Sequence, residues 1–374
     1  MLDFSDKDSG GFCKRTPEFI PPLRRTLTGW YAANRRALPW RGTRDPYHIW
    51  ASEIMLQQTQ VNTVIAYYER FIRAFPDIRA LADADIQAVL KLWEGLGYYS
   101  RARNFHKAAK LVMACRGGAV PDDWDFFLSL PGVGDYIASA VQSIAFGKPE
   151  AVVDGNVKRV LARIFEIHAP VNGASSYDIF KETARTLLDP LDPGSFNQAV
   201  MELGALICRP RSPLCPDCPA SQWCLASASG RVADFPVKIK KPPVPHHHLA
   251  IGVVEKKGKL LIVLRPETGL LGGLWEFPGG RISPDETPEA ACLRILTESA
   301  GIHVSIRSYL TCVRHAYTHF KITADVYICD WASGRVRLNG PARHLWVTPD
   351  ALHHYPFPKS NHKFMPQLME AISK

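Results

Sequence analysis

The pattern of apolar residues changes once along this 374-residue chain, and the change restricts it to folds with a helical body followed by a strand-rich one. From Thr16 to about Ala226 the pattern is helical. Residues 51–75, with Ile54, Val61, Val64, Tyr68 and Phe71 near helical period, are predicted as one amphipathic stretch. Residues 86–93, 104–113, 135–146, 157–165 and 177–188 read the same way, punctuated by Pro and Gly. After His248 the period shortens. Residues 249–254 and 259–264 flank Lys256-Lys257-Gly258, a hairpin signal. A helix over 288–300 and strands over 307–314, 320–329 and 344–347 follow. Residues 227–245 carry Arg231, Lys238, Lys240, Lys241 and four prolines, and are expected to form a basic, semi-stiff linker. The His246-His247-His248 run is read as a solvated strand entrance rather than a metal site.

Four cysteines, Cys208, Cys215, Cys218 and Cys224, are separated by six, two and five residues, so one short segment can wrap one metal centre. A zinc ribbon usually has two Cys-x-x-Cys knuckles and this segment has one, which favours a cuboidal iron–sulfur cluster; spacing alone also admits structural zinc. Arg209, Arg211 and four prolines make the loop stiff and basic. Cys13, Cys115, Cys292, Cys312 and Cys329 are scattered and odd in number, which argues against a disulfide framework and for a reducing cytosol. Residues 1–15 have no apolar stretch of a signal peptide, and no run reaches membrane-spanning length. A formal net charge of +9 favours a polyanionic partner.

Leu130-Pro131-Gly132-Val133-Gly134 lies between two predicted helices. Gly132 and Gly134 allow a tight turn whose amides approach an anion, at the positive end of the helix that follows. Such a turn holds a DNA phosphate without reading sequence. Further on, Asp154 precedes a helix in Val153-Asp154-Gly155-Asn156-Val157-Lys158-Arg159-Val160, where an Asp is most often an N-cap. These two motifs and the cysteine loop, in this order and spacing, resemble the helix–hairpin–helix superfamily of DNA glycosylases over essentially all of residues 16–226. The resemblance implies an all-α core with the hairpin at about 125–146, an iron–sulfur loop at 208–224 holding one [4Fe-4S] cluster, and a catalytic Asp154.

Relatives resembling endonuclease III carry a lysine just after the turn, which attacks the sugar and cuts the strand. Here Tyr136 stands at that position and cannot form an imine. Lys158 is assigned first to phosphate contact. Leu38-Pro39-Trp40-Arg41, the segment 50–60 containing Glu53, and Gly95-Leu96-Gly97-Tyr98-Tyr99-Ser100-Arg101 resemble MutY-type adenine DNA glycosylases. That likeness implies a monofunctional enzyme acting on double-stranded DNA containing adenine opposite 8-oxoguanine or guanine. Glu53 would be the acid that protonates adenine and then the base toward water. Its task requires a raised pKa in a closed apolar pocket. Asp154 would stay ionised beside the sugar cation, with Tyr136 hydrogen-bonding near it. Arg36, Trp40, Leu56 and Gln198 would wall the base pocket. Gln57, Gln58 and Tyr98 would fill the stack left by the flipped base. Gly132, Gly134, Asn156 and Lys158 would meet the backbone. No membrane association is implied, and a cytoplasmic, nucleoid-associated monomer is expected.

The C-terminal part, 246–374, resembles a Nudix fold. Gly280, Glu286, Arg294, Glu298, Gly301 and Ile302 stand at Nudix-box spacing, but Ile295 and Ser299 replace metal-binding glutamates, so pyrophosphate hydrolysis should be crippled. The α/β scaffold is then suited to reading an oxidised guanine, with Tyr317, Thr318 and His319 at the lesion-recognition loop. A bifunctional glycosylase/lyase, a Nudix hydrolase with a DNA tether and a non-enzymatic lesion sensor are the rival readings.

Overall fold

A computed structural model describes residues 17–240 and 242–373. The N-terminal residues 1–15, Cys13, the boundary at Thr16, and Lys241 lie outside that description. The described chain divides into two compact units: residues 17–82 with 107–240, and residues 83–106 with 242–373.

The first unit is helical. Helix α1 (Pro46–Leu56) starts where Asp45 accepts the amides of Tyr47 and His48 and proline occupies the first turn. Residues from Tyr47 to Met55 are buried nearly all round, the mark of a central helix. The single stretch expected over 51–75 is broken: α1 stops at Leu56 and a second helix runs Val61–Ala74. Gln58 takes a left-handed conformation (φ 56°) in the turn between them, which helix periodicity cannot register. Helix α2 (Asp135–Ile144) packs on α1 and begins at Gly134, two residues after Gly132 turns the chain at φ 79°. Helix α3 (Gly155–Phe165) is capped by Asp154, and α4 (Pro193–Leu206) lies against it. That crossing is close: a Cβ on Gly204 would sit 2.6 Å from the Asn156 Cβ. Leu27, Val157, Leu161, Phe165, Phe180, Phe196 and Leu203 form the core.

The linker expectation for 227–245 is corrected over its first half. Phe235 is 1% exposed within this core, Val232 and Val237 pack on it, and the Val171 amide donates to the Val237 carbonyl at 3.0 Å. These apolar side chains lie between Arg231 and Lys238, in a segment whose composition is otherwise basic and proline-rich, and their burial decides the outcome.

The second unit is built on one mixed sheet of β1 (His246–Lys256), β2 (Lys259–Leu264), β3 (Trp275–Glu276), β4 (Gly279–Arg281), β5 (His303–Ala316), β6 (Lys321–Ser333) and β7 (Arg343–Val347). The order is β3-β2-β1-β6-β5, with β4 on β1 and β7 on β2; β1 and β6 run parallel. Lys257 and Gly258 both have positive φ, as a two-residue hairpin turn with the sheet's own twist requires. Helix α5 (Pro288–Ala300), capped by Thr287, covers one face through Cys292, Ile295 and Leu296. Phe357, Phe364 and Leu368 cover the other. The strands run longer than periodicity gave, because β5 carries bulges that break its alternation.

Residues 83–106, expected in the helical domain, belong to this second unit. Gln87 donates to the Gly273 carbonyl (3.1 Å) and accepts from Trp275 Nε1 (3.0 Å). Glu94 takes hydrogen bonds from the Phe357 amide (2.7 Å) and His362 (2.8 Å).

Candidate active site

Burial of α1 carries Glu53 into the first unit with 5% of its surface exposed. Because α2 packs there, the Tyr136 hydroxyl donates to Glu53 Oε2. The partner of Tyr136 is thus Glu53, within reach of the charge of Asp154. Its hydroxyl is committed to Glu53, and both carboxylates act on its titration. Loss of solvent chiefly pushes the Glu53 carboxyl up to about 7; the Tyr136 hydrogen bond opposes this, and the charge of Asp154 adds to it.

Asp154 serves two structural ends at once. Oδ1 accepts the Val157 amide at 2.7 Å, capping α3, and Oδ2 accepts the Asn156 side chain at 2.9 Å. Burial raises its pKa while these donors pull it down. Asp154, Asn156, Lys158, Leu56 and Gln58 line a cavity of about 550 Å³. A carboxylate at a cavity wall, near a second carboxyl kept partly protonated, can stabilise a cation and supply a proton in one place.

The remaining pocket candidates divide. Arg36 does not stand free as a base contact: it binds Glu202 at 2.6 Å, and Arg41 binds the same carboxylate at 2.7 Å. The two guanidiniums hold the buried Glu202 at about 2 against its desolvation. Arg41 also lowers the Glu53 pKa. Glu202 was missed from sequence; the signal was a lone carboxylate among apolar residues of α4. Trp40 is buried edge-on to Tyr68, with ring centroids 5.2 Å apart. Gln198 accepts the Tyr31 hydroxyl at 2.9 Å. Gln57 ends α1. Lys158 donates to the Val171 carbonyl at 3.3 Å and lies over the rings of Tyr177 and Phe180.

Cys208, Cys215, Cys218 and Cys224 all line one cavity with Arg163. Among the described residues no group of three or more His, Cys, Asp or Glu side chains is arranged to hold a single metal ion. Four thiols around a common space are a donor set that an iron–sulfur centre or a structural zinc can use.

In the second unit Tyr98 and Thr318 share a hydrogen bond between their hydroxyls at 2.6 Å. His319 is exposed beside them in sequence. Tyr317 is engaged elsewhere: its hydroxyl pairs with Ser360 (2.9 Å) and its ring stacks on Phe320 at 4.8 Å. The Nudix-box carboxylates are neutralised, since Arg294 binds Glu286 (2.8 Å) and Glu298 (2.9 Å), while Ile295 is buried and Ser299 bonds its carbonyl.

Residues 51–186 match the family of HhH-GPD superfamily base excision DNA repair proteins, and residues 250–367 match the NUDIX domain. The helical fold also resembles a solved thermostable thymine-DNA glycosylase, at 31% identity and a TM-score of 0.52, over 57% of this chain and 98% of that one. Fold and site together define a base-excision DNA glycosylase with a C-terminal Nudix-like domain. An adenine DNA glycosylase of Mus musculus is 38% identical over 82% of this chain and 70% of its own, and one of Homo sapiens 36% identical over 89% and 71%. The chain belongs to the adenine DNA glycosylase family, and it is a hydrolase of N-glycosidic bonds.

Proposed function

We propose that the protein removes adenine mispaired with 8-oxoguanine or guanine in duplex DNA, by hydrolysis without strand cleavage. The observation that carries this reading is the pair of carboxyls within one unit: Glu53, buried and bonded by the Tyr136 hydroxyl, and Asp154, which caps α3 at the cavity wall. Protonated Glu53 gives its proton to the extruded adenine as the C–N bond breaks and the bonding pair leaves with the base. Ionised Asp154 stabilises the oxocarbenium-like sugar. Glu53, now a carboxylate, takes a proton from the water that adds to the sugar carbon, and is thereby restored. Tyr136 holds Glu53 in place. No amine stands at its position to capture the sugar, and Lys158 is occupied by Val171 and two aromatic rings.

Gly132 and Gly134 present the hairpin amides to a phosphate, with Asn156 and Lys158 nearby in sequence as further backbone contacts. Leu56, Trp40, Arg36 and Gln198 shape the pocket, the arginine through Glu202. Gln57 and Gln58 support the emptied stack. Adenine is an undamaged base, so selection must come from its partner. Tyr98 and Thr318, joined through their hydroxyls, read the lesion with His319 beside them in sequence, on a loop that Tyr317 anchors through Ser360 and Phe320. The four cysteines would hold one [4Fe-4S] cluster, which would pin the loop bearing Arg209 and Arg211 and, being fully cysteine-ligated, offers no open position to substrate. The protein acts as a monomer in the cytoplasm.

The test is single-turnover base release from duplexes carrying adenine opposite 8-oxoguanine, guanine, cytosine or thymine. Release fastest opposite 8-oxoguanine, then guanine, is expected. Equal rates opposite all four would overturn the mispair assignment.

A further inference from the structure

Arg163 lies in the last turn of α3 and is 3% exposed. Its Nη1 donates to Cys208 Sγ at 3.3 Å and to the Arg209 carbonyl at 2.8 Å, and its Nε donates to the Phe235 carbonyl at 3.0 Å. Its own carbonyl lies 3.4 Å from Cys224 Sγ. Among the described residues no carboxylate pairs with this guanidinium. A buried cation without a carboxylate partner is costly, and the side chain this one donates to is the Cys208 sulfur, at 3.3 Å. Arg159 differs: it reaches the Cys208 carbonyl (2.7 Å), the Gly204 carbonyl and Asn156.

We infer that Arg163 sets the electron affinity of the cysteine-bound centre, acting as a positioning residue through its hydrogen bond to Cys208 Sγ. The inference rests on the cluster assignment above. In the one-electron couple an electron enters the cluster and no bond forms or breaks. An N–H donor on a ligating sulfur and a buried positive charge both favour the more negative state, so both raise the potential. The same side chain ties that sulfur to Phe235, the aromatic that anchors the segment after the cysteine loop.

The experiment compares the full-length protein with R163M and R163Q, measuring iron content, visible absorption and the reduction potential at an electrode. An iron-loaded R163M is expected to show an equilibrium constant for reduction lowered about tenfold, a fall of about 59 mV for one electron. A loaded R163M with an unchanged potential overturns the inference. Should R163M not retain iron, R163Q decides by the same criterion. Failure of both to load while circular dichroism reports a folded chain also overturns it, making Arg163 an assembly residue. Absence of iron from the unsubstituted protein instead removes the cluster assignment.

Discussion

Carboxylates occupy two very different settings in this molecule. In the first unit, Glu53 is buried and Asp154 half-buried at a cavity wall, each with hydrogen-bond donors but no ion pair among the described residues, and loss of solvent raises both pKa values. In the second unit, Arg294 grips Glu286 and Glu298, and its hydrogen bonds hold Glu286 down at about 2. The contrast teaches that a carboxyl holds its proton toward neutrality where solvent is removed and the charge is left uncancelled. Paired to an arginine, the same group is a surface clasp. Glu202 marks the boundary: buried like Glu53, yet held ionised by two guanidiniums.

The largest break in that comparison should come from Glu53→Gln. Loss of the acid should slow single-turnover adenine release about 10³-fold or more while mismatch binding persists. Release at the original rate would take Glu53 out of the reaction. Asp154→Asn should cost about 10²-fold or more in the same assay, since the sugar cation loses its counter-charge. The amide can still accept from Val157, so thermal unfolding should shift little. A large drop in Tm with unchanged turnover would mean Asp154 is only a cap.

A third test uses stability. The folded pKa of Glu53 lies above its ordinary 4.5, so its favourable state is fully present below pH 4.5 and is lost as pH rises through about 7. The cost above pH 7 is about 3 kcal/mol. Glu53→Gln should therefore be more stable than the original protein at pH 8, with the difference shrinking toward pH 5. Denaturant titrations at both pH values check the sign. Adenine release should fall over the same rise in pH, as the acid form disappears. The smallest effect is expected at the clasp: Glu298→Gln, with a largely exposed side chain, should change stability by about 0.5 kcal/mol or less and leave adenine release unaltered.

Local motifs made much of this legible. The Gly132–Gly134 turn, the Asp154 cap and the α5 helix announce themselves through glycine, acidic and apolar residues at short spacing. What the sequence hid depends on partners far along the chain. The partner of Arg36 lies 166 residues away in Glu202, and Tyr136 meets Glu53 across 83. Phe235 looked like linker because nothing near it in sequence shows the core it enters. Gln58 broke an apparent helix through a backbone angle that apolar spacing does not encode.

The allegiance of residues 83–106 to the second unit has a practical consequence. The polypeptide leaves one body, visits the other and comes back, so the two halves are interleaved rather than strung in series. Severing the chain once near residue 241 would strip Gln87 and Glu94 of their partners at Gly273, Trp275, Phe357 and His362. A catalytic fragment obtained that way would carry an orphaned stretch, and its behaviour would not report what the first body does when whole.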